Sequence, residues 1–498
     1  MDATRVDDES MAGMLSWHSR RRPDATAVVC GDRRLSYRRL DERSERLASG
    51  LLSHGLTPGD SMAILLPNCI EYLELYEAAA KCGLTVVPIN TGLTQPEIDY
   101  ILDDSGVALV VADDRSTVKT ALPVLTVGGA ENPYEKLIEE APDRIVSRPA
   151  PDAIFFQGYT SGTTGRPKGC LQTLAAFVTH FRRSFYLYGH DADDIMLLPG
   201  PLFHEAPTLF GLAQLFYGGT VVIMPRFDAD QAVEALVREH VTLIGFAVPT
   251  MLDRMIPAAE GRETPALRGV ITAGAPLHPE TMDQVLRVFP TTALHEFYGG
   301  TEIGIVTSIE HRAARAHGSS VGTPIPGLDV TLLDDKDVPV APGEIGQIYV
   351  TPRMMTGYHG RPEATAEATR TLGGVEWFSL GDLGRVDDNG HLFLVDRKSH
   401  MIISGGENVY PAEVEAVLIE HPDIVDVAVI GLPDPEWGEA VTAVITSAGS
   451  PPDVEALRSY ARSRLAGYKL PRRVEVVPDI PRTASGKILK HHLRNDFA

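Results

Sequence analysis

From Ala25 onward, short runs of aliphatic and β-branched residues alternate with longer helical patterns, and this alternation limits the fold more than any other feature of the chain. Ala27-Val28-Val29, Met62 to Leu66, Thr85-Val86-Val87 and Ala108 to Val111 read as buried strands, with Leu40 to His54 and Cys69 to Cys82 as intervening helices. The pattern continues through Thr220 to Met224, Ala232 to Glu239, Leu243 to Ala247 and Val270 to Thr272. Strands that alternate with helices imply parallel sheets covered by helices on their faces. No short-period internal repeat accompanies the pattern.

A chain of 498 residues exceeds the roughly 250 to 300 residues at which a single core stops growing, so more than one folding unit is expected. After about Pro326 the patterning changes to hairpin-like strands: Asp329 to Leu333, a turn at Asp334 to Asp337, Gln347 to Val350, and Gly384 to Val386 turning at Asp388-Asn389-Gly390 into Leu392 to Leu394. From Met401 it changes again. Pro411 to Glu420 reads as a helix, Val425 to Ile430 and Ala440 to Ile445 as strands, Val454 to Leu465 as a helix and Arg473 to Val477 as a strand. The expected fold is therefore α/β: a large N-terminal domain over 1–397, with a β-rich subdomain at about 326–397, and a small α+β C-terminal domain over 398–498.

The formal net charge of −22 argues against broad binding to nucleic acid or to an anionic membrane, both of which favour a basic surface. A local cluster of Lys, Arg and backbone N–H groups can still hold phosphate. Cys30, Cys69, Cys82 and Cys170 have neither metal-ligand spacing nor the density of a disulfide scaffold, and read as buried small hydrophobes in a reducing compartment. The N-terminus, with Asp2, Asp7, Asp8 and Glu9 around Arg5, lacks the basic start and apolar stretch of a signal peptide, and no segment has the roughly 18 apolar residues of a membrane span. A cytoplasmic location is expected.

Chemistry concentrates first in Tyr159-Thr160-Ser161-Gly162-Thr163-Thr164-Gly165-Arg166-Pro167-Lys168-Gly169. The run follows an expected strand, Asp152 to Gln157, and precedes an expected helix, Cys170 to Phe185, with Leu171, Leu174, Val178, Phe181 and Phe185 as its apolar stripe. Hydroxyls and backbone N–H groups in such a loop can wrap a phosphate, and glycines let the backbone approach it. No Gly-Lys-Ser or Gly-Lys-Thr closes the run, so it is not a Walker A loop. Three glycines, four Ser/Thr hydroxyls and two cations in so few positions favour a phosphate site over a plain surface turn.

The run resembles the phosphate-binding loop of the adenylate-forming superfamily, which contains acyl-CoA synthetases, carrier-loading adenylation domains and beetle luciferases. Further segments match in order: Pro201 to His204, Thr272 to Leu277, Tyr298 to Glu302, Gly381 to Arg385, Ser404 to Pro411 and Pro481 to Lys487. They span nearly the whole chain. The resemblance implies an enzyme that uses ATP and Mg²⁺ to convert a small carboxylic acid to its acyl adenylate, with a mobile C-terminal domain. By the same likeness, Thr160, Ser161, Gly162, Thr163, Thr164, Gly165 and Lys168 hold the β- and γ-phosphates. Thr301 hydrogen-bonds the α-phosphate, Glu302 holds Mg²⁺, and Lys487 contacts the α-phosphate and the substrate carboxylate. Gly274, Ala275 and Pro276 form one wall of an adenine slot beside Tyr298, with Glu296, Phe297 and Gly299 in the same group. Asp382 takes the ribose hydroxyls and Arg397 is a second nucleotide contact.

Phe203, His204, Phe246 and Gly300 are implied around the acid, with His204 a binding residue and not a proton carrier. Glu205 beside it can pair with His204. Carrier-loading domains for amino acids usually place Asp next to the aromatic residue matched by Phe203, and here His204 stands there. An acid without an α-amino group is therefore expected, whether fatty, aromatic or polycyclic; Glu205 keeps a polar or cationic acid open. The family's C-terminal domain rotates between the two half reactions, bringing the region of Ser404, Gly405 and Gly406 to a tunnel for a thiol. At the pivot, where Asp or Lys is usual two residues after the arginine, this chain has Ser399. No carrier domain follows Ala498, so free coenzyme A is the expected acceptor, with a separate carrier protein as the alternative. A homodimer stays open.

Overall fold

The computed structural model describes residues 9–142, 149–160, 167–275, 277–312, 318–404, 407–447, 449–483 and 488–498. They form two compact units, one from residues up to 328 together with 352–376, the other from 329–351 together with 377–498. The boundary expected after residue 397 falls inside the second unit. There the helix Pro411–Leu418 packs on the strand Leu392–Arg397, and the Ala412 backbone N–H donates to the Asp396 carboxylate at 2.9 Å.

In the first unit the alternating pattern produces two sheets. One has the strand order Thr323–Pro324, Gly304–Glu310, Ala293–Gly300, Gly269–Thr272, Leu243–Ile244, Ile195–Leu198, Thr220–Ile223, Thr26–Cys30, Arg33–Ser36. Its centre is parallel and its two ends are closed by antiparallel pairs. The other runs Gly357–Tyr358, Lys168–Thr173, Ile154–Thr160, Thr85–Pro88, Ser61–Leu65, Leu109–Asp113, Val124–Val127. The helix Ile70–Cys82 touches Thr26–Cys30 of the first sheet and Thr85–Pro88 of the second, and is buried along nearly its whole length. A helix enclosed in this way has no polar face to spend on water. Its Glu74 is instead held by Arg43 at 2.5 Å and by the Tyr134 hydroxyl at 2.8 Å.

The helix expected from Cys170 begins later. Lys168–Thr173 is a strand, paired antiparallel with Ile154–Thr160 in the register Thr160 to Lys168, and the helix runs Leu174–Tyr188. Thr173 caps it by accepting from the Ala176 N–H, and Gly189, with φ of 59°, ends it. The glycine-rich run is therefore the loop of a β-hairpin.

In the second unit, Asp329–Leu333, Gly346–Thr351, Asp382–Val386 and Leu392–Arg397 form antiparallel pairs. The C-terminal part has Asp426–Asp434 and Gly438–Thr446 as a long hairpin, joined by Ile402–Ser404, Glu407–Val409 and Arg473–Val476 and by the helices Pro411–Leu418, Val454–Ala461 and Lys490–Phe497. All four cysteines are free; Cys82 and Cys170 are buried, whereas Cys30 and Cys69 are only half-buried. Among the described residues no helix is long and apolar enough to cross a membrane.

Candidate active site

Thr301 and Glu302 lie on the tight turn between the antiparallel strands Ala293–Gly300 and Gly304–Glu310. Only glycine suits the two sides of this turn. A Cβ on Gly299 would sit 2.0 Å from the Gly304 carbonyl oxygen, and one on Gly304, with φ of 72°, would sit 2.1 Å from the His180 ring. The turn is further fixed by the Met354 and Met355 N–H groups, which donate to the Glu302 carbonyl at 3.0 and 3.1 Å.

The Glu302 side chain is mostly buried and draws three sequence-distant elements together. Its Oε1 accepts from the Thr160 hydroxyl at 3.2 Å and from the Tyr358 hydroxyl at 2.9 Å. The Lys168 ammonium lies 5.1 Å from the centre of the Tyr358 ring. Thr160, Lys168 and Glu302, which the resemblance implies lie around the ATP phosphates, are thus linked through Tyr358 and the Thr160 hydroxyl. Ser161, Gly162, Thr163, Thr164 and Gly165 lie outside the described residues. A carboxylate oriented by hydroxyl donors suits Mg²⁺, a hard ion that usually takes one or two protein carboxylates and shares the rest of its shell with substrate phosphates.

Gln172 links this turn to the expected acid-binding segment. Its Nε2 donates to the Thr301 carbonyl at 2.6 Å and to Glu205 Oε1 at 2.6 Å, and Glu205 also takes the Thr301 side chain. Glu205 therefore turns to Gln172 and Thr301, where the sequence suggested a pairing with His204. His204 packs its ring against Phe203, with centroids 4.9 Å apart, and both remain half-buried. Asn68 shapes this turn by donating to the Gly200 carbonyl at 2.9 Å and accepting from the Leu202 N–H at 2.7 Å. Gln172, Tyr358 and Asn68 were not picked out from the sequence. Gln172, fully buried on its strand, stands in no motif that marks it in the sequence.

Around the expected adenine slot, Phe246 has φ of 72° and its ring centre is 6.1 Å from that of Phe297. Gly274, with φ of 88°, leaves room beside Phe246, where a Cβ would come within 3.6 Å of the ring. Ala275, Gly299 and Gly300 are half-buried and Tyr298 is largely buried. Pro276 lies outside the described residues. The Glu296 carboxylate, grouped with the nucleotide contacts, faces His311 at 2.7 Å in the interior and serves the sheet.

In the second unit, Asp382 and Arg397 are cross-strand partners whose carboxylate and guanidinium approach to 3.0 Å. Ser404 is buried where the strands reach Glu407 and Gly438. Gly405, Gly406 and Lys487 lie outside the described residues. On either side of the Lys487 segment, Arg482 and Ile488 form an antiparallel bridge, and Arg482 pairs with Asp426 at 2.6 Å. The short helical turn Lys398–His400 receives Arg494, which donates to the Ser399 and His400 carbonyls at 3.4 Å.

Loss of solvation pushes the His204 pKa down to about 4, so the imidazole is neutral at physiological pH and suited to binding. Burial likewise takes His180 to about 3 and His190 and His295 to about 4. It lifts Glu205 to about 7 and Glu77 to about 8. Between the native values and 6.5 the unfolded histidines bind more protons than the native ones, so their contribution falls as pH drops. For the two acids the native state holds the extra proton above 4.5, so theirs falls as pH rises. Four histidines outweigh two acids up to pH 6.5, and only the acids act from there to about 8. The urea-unfolding midpoint should therefore peak near pH 6.5, and a midpoint still climbing at pH 8 contradicts these assignments.

A family model described as AMP-binding enzyme matches residues 15–359, and one described as AMP-binding enzyme C-terminal domain matches residues 413–487. The chain is 39% identical over 499 residues to a feruloyl-CoA synthase of an Amycolatopsis species, with 97% of this chain and 99% of that protein covered. It is 34% identical over 508 residues to the fatty acid–[acyl-carrier-protein] ligase ScoC of Streptomyces coeruleorubidus, covering 98% and 96%. Its fold matches that of the o-succinylbenzoate CoA synthetase of Bacillus subtilis in complex with the acyl-adenylate intermediate OSB-AMP, at a TM-score of 0.87, 30% identity and 97% coverage of both chains.

Proposed function

This chain belongs to the AMP-binding enzymes, and we propose that within that family it is an ATP-dependent acid–CoA ligase. It converts a carboxylic acid to its acyl adenylate with release of pyrophosphate, then passes the acyl group to the thiol of coenzyme A with release of AMP. The observation that carries the reading is the convergence of Thr160 and Tyr358 on Glu302, with Lys168 over the Tyr358 ring, next to a threonine that Gln172 connects to the Phe203–Glu205 segment.

A carboxylate is a poor electrophile until AMP is placed on it, after which AMP leaves easily. The barrier is one of charge, because an anionic nucleophile must approach an anionic phosphate in line, so positioning and electrostatic neutralisation supply most of the catalysis. Mg²⁺ bound through Glu302 would neutralise phosphate charge. The Thr301 hydroxyl, shared with Glu205 until a phosphate oxygen competes for it, serves the α-phosphate together with Lys487. Thr160 to Gly165 and Lys168 hold the two phosphates that leave. Gly274 to Pro276 and Tyr298 enclose the adenine, Asp382 and Arg397 take the ribose, and Phe203, neutral His204, Phe246 and Gly300 line the acid. Ser404, Gly405 and Gly406 serve the thiol once the C-terminal domain has turned about a hinge near Arg397. The adenylation step requires no nucleophilic Ser or Cys and no general base.

The aromatic residues Phe203 and Phe246 favour an aromatic or fatty acid, in keeping with the feruloyl and fatty-acid names of the relatives. A pyrophosphate-release screen across acids, with and without coenzyme A, tests both half reactions. AMP formation that depends on acid and coenzyme A together is expected. Acid-dependent pyrophosphate exchange without a coenzyme A thioester points instead to a separate carrier protein as acceptor, the reading that the likeness to ScoC supports.

A further inference from the structure

We propose that Tyr100, Asp104 and Arg361 clamp the two strands of the phosphate hairpin at its mouth and thereby set the affinity for the β- and γ-phosphates of ATP. The inference rests on the phosphate role given above to Thr160 to Gly165 and Lys168.

Tyr100 and Asp104 are four residues apart on the helix Gln95–Ser105, a spacing that puts both on one face. The Tyr100 hydroxyl donates to the carbonyl of Pro167 at 2.8 Å, one residue before Lys168 on the returning strand. Asp104 Oδ2 accepts from the Tyr159 hydroxyl at 2.9 Å, one residue before Thr160 on the outgoing strand. One helical face thus holds both sides of the hairpin where its loop begins. Arg361 closes the arrangement, with Nη2 at 2.5 Å from Asp104 Oδ1 and 3.1 Å from the Tyr100 hydroxyl. Burial and the Asp104 hydrogen bond push the Tyr159 pKa far up, so its hydroxyl stays a donor.

Arg361 also ties the clamp to Glu302. It follows three residues after Tyr358, whose hydroxyl reaches Glu302, and the intervening His359 N–H donates to the Gly169 carbonyl at 2.7 Å. The segment from Tyr358 to Arg361 therefore fixes the hairpin and the carboxylate against each other. A cradle of N–H and O–H groups binds anions more tightly when its frame is already in place, because less ordering is charged against the ligand. The clamp supplies that frame without touching ATP, so these are positioning residues.

The test measures binding of Mg·ATP, inorganic pyrophosphate and AMP to the full chain by calorimetry, with no acid substrate present. Tyr100→Phe and Asp104→Asn should each weaken ATP and pyrophosphate by about three- to tenfold, the range for losing one hydrogen bond. AMP, which lacks the two outer phosphates, should bind as to the wild type, and melting temperatures should match it. Arg361→Lys should recover part of what Arg361→Ala loses. Equal weakening of AMP and ATP, or unchanged ATP affinity, would overturn the clamp. A wild-type chain that binds AMP but neither ATP nor pyrophosphate would overturn the phosphate reading, and the clamp with it.

Discussion

Lys487→Ala should lower adenylate formation by at least about a hundredfold, comparable to losing one donor to a developing oxyanion, while leaving thioester formation from preformed acyl adenylate largely intact. The asymmetry follows from the charges in each step. In the first, a carboxylate attacks a phosphate and negative charge gathers around the α-phosphate, where an ammonium is most useful. In the second, a thiol that has lost its proton attacks a neutral carbonyl and AMP leaves with a new charge on its departing oxygen; on the proposed turn of the C-terminal domain the lysine has by then withdrawn, so this cation has little left to do. Acid-dependent pyrophosphate exchange reads the first step. Synthetic acyl adenylate mixed with coenzyme A reads the second. Equal loss in both would remove the assigned role and leave Lys487 as a residue the fold needs. Such a role has a natural location, because the bridge between Arg482 and Ile488 and the pair of Arg482 with Asp426 tie down the flanks of its segment.

The parts of this fold legible in sequence were those with one dominant environment. Met62 to Leu66 reads as a strand because a parallel strand covered on both faces is apolar throughout, and four of the residues of Ser61–Leu65 are indeed buried. Lys168–Thr173 was misread because its strand character comes from pairing with Ile154–Thr160, while Leu171 and Leu174 fall equally well at helical spacing. A change of pattern near residue 400 marks new local structure, yet contacts between Asp396 and Ala412, and between Arg494 and Ser399, hold the two sides in one compact unit.

The site divided along similar lines. Thr160 and Lys168 stand in a short run whose composition itself suggests a phosphate site, whereas Thr301 and Glu302 were marked by the resemblance of Tyr298 to Glu302 to the family's motif. Tyr358 carries no such run; it reaches Glu302 because Gly357–Tyr358 adds as an edge strand beside Leu171 and Cys170. Glu296 shows the converse. It lies two residues from Tyr298 in a recognisable segment, but strand geometry sends its side chain to His311. Motif membership located the backbone, and side-chain direction had to come from the sheet.

Glu302→Gln separates a metal ligand from a structural acceptor more cleanly than truncation does. Glutamine keeps an oxygen for the Thr160 and Tyr358 hydroxyls, which now donate at 3.2 and 2.9 Å, so the turn and the hairpin should stay in place. What it loses is the negative charge that Mg²⁺ requires of its few protein ligands. Adenylate formation should fall by at least about a hundredfold at fixed Mg²⁺, the scale of removing one transition-state stabiliser, and the Mg²⁺ titration should shift to higher concentration. Tyr358→Phe is the complement: it keeps the carboxylate, deletes one hydroxyl donor and should cost only about three- to tenfold, with a nearly normal Mg²⁺ titration. If Glu302→Gln left the Mg²⁺ titration unchanged while Tyr358→Phe lost as much activity, Glu302 would be an anchor for the phosphate hairpin, and the ion would have to be held by the ATP phosphates and water.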